Sequence, residues 1–79
     1  MQELVKYLVS QLVQNKEEVE IQTVEEENAT VITALVNNAD LGRVIGHNGK
    51  VANSIRTIVK SANIQADKKI IVKFNAKEQ

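Results

Sequence analysis

Two glycines three residues apart, Gly46 and Gly49, join two stretches of helical periodicity, and no other feature constrains this chain as much. Leu41-Gly42-Arg43-Val44-Ile45 reads as about one turn of apolar helix, and residues 50–62 read as a longer helix. Without a Cβ, the glycines let the backbone turn sharply and let another molecule come close. A helix that opens directly after such a loop presents unpaired N–H groups and the positive end of its dipole. The junction therefore suits an anion, and a nucleic-acid phosphate is the obvious candidate. Two other phosphate loops fail on spacing. A Walker A loop ending at Gly49-Lys50 needs glycine at position 44 and Ser or Thr at 51, where Val44 and Val51 stand. A dinucleotide-binding G-x-G-x-x-G ending at Gly49 also needs glycine at 44.

The rest of the chain supplies the layers around this junction. Leu4, Val5, Leu8, Leu12 and Val13 recur at helical spacing, which predicts a helix over 2–14 with Tyr7 at the margin of its apolar stripe. Asn15 is expected to end it in the left-handed conformation. Residues 18–25 alternate through Val19, Ile21 and Thr23 as a half-buried strand does. Glu25-Glu26-Glu27-Asn28 is a turn, and β-branched Ala29 to Val36 is a central strand, so the two strands form an antiparallel hairpin. Asn37-Asn38-Ala39 connects onward, and Asp40 is expected to cap the next helix. Val51, Ala52, Ile55, Ile58, Val59 and Ala62 form the stripe of the helix after the loop, with Asn63 as its stop. Asp67-Lys68-Lys69 turns into a last strand, Ile70 to Asn75, whose Ile70, Val72 and Phe74 share a face. The tail, about 76–79, is expected to fray. The order α-β-β-α-α-β predicts an α+β fold, a three-stranded sheet with helices packed on one face.

Seventy-nine residues make a single domain, 1–79. With no cysteine, its stability must rest on aliphatic packing. Net charge is zero, but residues 1–39 carry −5 and residues 40–79 carry +5. That split permits a basic face and is equally compatible with a solvated surface of mixed sign. Tyr7 and Phe74 are the only aromatics, too few for a platform that stacks successive bases. Binding to nucleic acid would have to use backbone amides, aliphatic contacts and basic side chains. The start holds no apolar run long enough for a signal peptide or membrane span, so a cytoplasmic location is expected. His47 is the lone histidine, and Ser10, Ser54 and Ser61 lack an evident base. No enzymatic activity, metal, cofactor or small-molecule substrate is expected.

Element order and loop together resemble a KH domain of the type II arrangement, over nearly the whole chain. Asp40-Leu41-Gly42-Arg43-Val44-Ile45-Gly46, Gly49-Lys50 and Ile55-Arg56-Thr57 are similar to the small bacterial single-KH proteins of the KhpA type. The resemblance implies single-stranded RNA held along its backbone by Gly46-His47-Asn48-Gly49, with about four nucleotides in an adjoining groove. It places Val44, Ile45, Ala52 and Ile55 on the groove floor, with one or two residues from Val31 to Leu35, and makes Arg43, Lys50 and Arg56 the phosphate partners. Ala52 fits equally well as an ordinary stripe residue. His47 and Asn48 depart from the family, whose loops usually carry Lys or Arg there. A histidine adds charge in mild acid, so binding is expected to tighten as pH falls. The acidic turn 25–28 is expected to form the opposing wall and to weaken the grip on phosphate. The resemblance further implies self-association, a larger KhpB (Jag)-type partner, RNA chaperone-like regulation, and links to cell division and cell-wall homeostasis. Val51, Ile58, Val59 and Ile64 are apolar enough to serve self-association or an ordinary core. The alternative reading is a protein-interaction module whose partner binds the RNA.

Overall fold

The computed structural model describes residues 1–63 and 68–77. Ile64, Asp67 and the last two tail positions lie outside them. Six regular elements follow in the predicted order: α1 (Gln2–Ser10), β1 (Glu20–Glu25), β2 (Ala29–Val36), α2 (Leu41–Ile45), α3 (Lys50–Ala62) and β3 (Lys69–Ala76). The sheet order is β1-β2-β3. β1 runs antiparallel to β2 through the short acidic turn, and β3 runs parallel to β2 because α2 and α3 carry the chain back across the sheet.

Alternation along β2 sets the layers. Thr30, Ile32, Ala34 and Val36 point inward and are buried, whereas Val31, Thr33 and Leu35 lie half-buried on the other face. All three helices cover the inward face. Val5 and Val9 of α1, Val44 of α2, and Ala52, Ile55 and Val59 of α3 meet Ile32, Val72 and Phe74 in one aliphatic cluster. Each valine, isoleucine or phenylalanine there contributes about 1.5–3 kcal/mol on burial, and Ala52 less. That is how a chain without disulfides holds its shape.

The structure corrects the sequence at three places, two of them linked. Helix α1 stops at Ser10, and Leu12 N–H already bonds back only three residues, to Val9 O at 3.0 Å. The amides that would have prolonged it are drawn to Asp40. Its Oδ1 accepts from Gln14 N at 3.2 Å, and its Oδ2 accepts from Asn15 N at 3.1 Å and Asn15 Nδ2 at 3.0 Å. Asn15 is not left-handed (φ −97°, ψ 67°). Asp40 does not cap α2, because its own backbone is helical (φ −95°, ψ −10°) and a capping residue must lie outside the helix. Asn37 does the capping instead, a turn earlier, where its side chain accepts from Ala39 N at 2.8 Å. The last strand runs one residue beyond Asn75. Ala76 belongs to β3, and Lys77 N–H donates to Val36 O at 2.7 Å.

Candidate nucleic-acid interface

The junction between α2 and α3 is built from left-handed backbone. Gly46 has φ 76° and ψ 176°, Asn48 φ 56° and ψ 28°, and Gly49 φ 74° and ψ 13°. Gly46 is sterically required, since a Cβ there would stand 2.4 Å from Val51 Cγ2 and 2.9 Å from Val51 N. Around Gly49 a Cβ would meet nothing closer than Asn53 Nδ2 at 4.0 Å, so only its backbone conformation favours glycine. Asparagine is among the few side chains that enter this region readily, which suits Asn48 to its position. Gly46 N–H donates to Gly42 O at 2.9 Å and Gly49 N–H to Gly46 O at 3.2 Å. Among the described residues no backbone carbonyl outside the helices and strands receives the N–H groups of His47 and Asn48, and the first N–H groups of a helical turn are the ones an outside acceptor can meet.

The predicted cations are unequal. Lys50 is exposed at the start of α3. Arg43 is exposed, with Nε 3.8 Å from Asp40 Oδ1, one turn before it. Asp40 is 1% exposed. Burial pushes its carboxyl up, but the hydrogen bonds from Asn15 and Gln14 and the Arg43 charge outweigh this and hold it below its ordinary value. Arg56 is engaged within the fold. Its Nε donates to Val72 O at 3.1 Å and its Nη1 to Asn53 Oδ1 at 3.1 Å, and its guanidinium lies 5.4 Å from the centre of the Phe74 ring. Val44, Ala52 and Ile55 lie in the core beneath the loop, and Ile45 keeps part of its surface exposed.

A groove of about 400 Å³ runs between α3 and β3, lined by Arg56, Lys60, Ile70, Ile71, Val72 and Lys73. Its strand is β3, the outer strand, and not the segment Val31 to Leu35. β2 has partners on both edges, and its side chains go either into the core or to the opposite face. Sequence reading missed Lys60 and Lys73. The first was legible in principle, four residues after Arg56 on the same helical face. The second depends on how β3 sits beside α3. Nor does the acidic turn face the glycine loop. Lys69 N–H bonds Asn28 O at 3.1 Å, and Glu25 shares a cleft with Ala62 and Asn63 at the far end of α3, about 20 Å of helix away from the loop. Glu25 is bonded by Lys68 and by Thr30, and these contacts lower its pKa.

A three-stranded mixed sheet, helices on one face and a glycine-bracketed turn joining α2 to α3 define a KH domain of the type II arrangement. The fold alone recurs in the crystal structure of a single-substitution variant of Aquifex aeolicus Era bound to GDP.AlF4-, with a TM-score of 0.63 and 13% identity over 99% of this chain, which spans 31% of that one. The sequence model of the family described as KhpA/KhpB, KH domain, matches residues 2–74, and the chain belongs to that family. It is 38% identical over 74 residues to the RNA-binding protein KhpA of Clostridium perfringens, covering 94% of this chain and 99% of the relative. The RNA-binding protein KhpA of Oceanobacillus iheyensis is 39% identical over 70 residues, 89% of this chain and 93% of that one. No helix among the described residues is long and apolar enough to cross a membrane.

Proposed function

We propose that this protein binds single-stranded RNA, with the backbone of Gly46, His47, Asn48 and Gly49 against the phosphates. The observation that carries this reading is the left-handed Gly46–Gly49 turn at the start of α3, where a close backbone approach is possible. Arg43 and Lys50 flank that turn as phosphate partners, and Arg56, Lys60 and Lys73 continue the positive charge along the groove. Val44, Ala52 and Ile55 support the turn from the core, and Ile45 offers a partly exposed aliphatic surface beside it. Such a site grips weakly and with modest selectivity, which suits a chaperone-like post-transcriptional regulator. Avidity would come from self-association or from a KhpB-type partner, since two joined sites gain affinity without new contacts. A cytoplasmic, non-enzymatic role linked to cell division and cell-wall homeostasis follows from the family resemblance.

The test is a low-salt NMR titration with short single-stranded RNA, comparing the natural protein with His47→Asp/Asn48→Asp. Aspartate tolerates the left-handed conformation, so the variant keeps the turn while repelling phosphate. Shifts centred on residues 46–56 that vanish in the variant are expected. No shifts in either protein, or the same shifts in both, would refute binding through the loop. A second reading, an interaction module whose partner binds the RNA, is favoured by Ile58, which stands 45% exposed on α3. It would then lead.

A further inference from the structure

The free edge of β3 is where a base in the groove would find hydrogen-bonding groups, and Arg56 has altered what that edge offers. Lys69 and Lys77 direct their N–H groups toward β2. By alternation along the strand, Ile70, Val72 and Phe74 turn their backbone groups away from it, toward α3. Left alone, Val72 would present a donor and an acceptor side by side. Its carbonyl instead receives Arg56 Nε–H at 3.1 Å, and the guanidinium is fixed there by Asn53 Oδ1 and the Phe74 ring. Val72 is 3% exposed, and Arg56 lines the groove beside it. Among the described residues two of its five N–H groups have partners, through Nε and Nη1. A guanidinium donates and never accepts.

We propose that Arg56 is a specificity-determining residue that makes this groove prefer guanine to adenine. Guanine presents O6 and N7 as adjacent acceptors, which match two parallel N–H groups of the fork, whereas adenine offers N7 beside an amino donor. That amino group would meet a donor, and Val72 O, the acceptor beside the fork, already receives Arg56 Nε–H. Lys60 and Lys73 border the same groove but are point charges that attract any phosphate, so base choice falls to the planar fork. The inference rests on RNA entering the groove as proposed above.

The experiment is a fluorescence-anisotropy titration at low salt with UUGU, UUAU and UUGU carrying 7-deazaguanine, which keeps O6 and lacks N7. The natural protein is expected to bind UUGU about five-fold or more tightly than UUAU, and the 7-deaza oligonucleotide at the level of UUAU. Arg56→Lys, which keeps the charge but not the fork, should bind all three alike. The 7-deaza comparison needs no variant and stands even if Arg56→Lys folds poorly. Equal binding of UUGU and UUAU, or 7-deazaguanine binding as tightly as guanine, overturns the guanine preference while leaving RNA binding intact. Failure to bind any of the three overturns the RNA reading and the preference with it.

Discussion

Gly46 and Asp40 show how single residues fix the site. Gly46 combines φ 76° with ψ 176°, a region open essentially to glycine alone, and its missing Cβ is the space occupied by Val51. Gly46→Ala should cost at least about 1–3 kcal/mol from the backbone conformation alone. Gly49→Ala, strained but uncrowded, should cost about 1–2 kcal/mol. Urea denaturation of the two variants checks the order. Asp40 makes a different prediction. Its carboxyl lies below the ordinary 3.8 in the folded protein, so it contributes stability that is complete above that value. The contribution is lost as pH falls through the lower, folded value. Asp40→Asn should therefore be less stable at neutral pH and lose less stability on acidification than the natural protein. Equal pH profiles from denaturation at pH 7 and pH 2.5 would contradict this.

At the scale of elements, the site is a relation between α3 and β3 and depends on the sheet beneath them. Ile32, fully buried in the central strand, pairs with Val72 on one side and Thr23 on the other. Ile32→Ala should cost about 2–5 kcal/mol. A domain of this length is typically worth roughly 4–12 kcal/mol in all, so the variant should unfold at distinctly lower urea. The groove has its own test. Lys60→Gln and Lys73→Gln lie outside both the glycine turn and the aliphatic core. Each should weaken RNA binding, and each should reduce the slope of log K against log salt by about 0.7. Binding measured across a several-fold range of salt decides it. Unchanged slopes would show that RNA does not follow the groove beyond Arg56.

For the molecule as a whole, zero net charge conceals a division that folding turns into geometry. Five bases of the second half, Arg43, Lys50, Arg56, Lys60 and Lys73, lie beside the glycine turn or along the groove, while Lys68 pairs with Glu25 of the acidic turn at the far end of α3 and Lys77 with Glu20. The sequence alone determined the element order, because local periodicity and β-branching are properties of short windows. α2, α3 and β2 begin and end where their patterns do. It also pointed to the turn, since glycines at 46 and 49 permit a sharp reversal between two helical stretches, although Gly42 lies in α2 without a positive φ. What it could not determine were matters of partnership across distance. Asp40 looked like a local cap and proved to hold Gln14 and Asn15, some 25 residues away. Arg56 was expected as a phosphate partner and is bonded to Val72 within the fold. The strand bordering the groove is β3 and not β2, because only sheet order decides which strand keeps a free edge. Hydrogen bonds between segments far apart in the chain leave no trace in local pattern, and the tertiary fold alone assigned them.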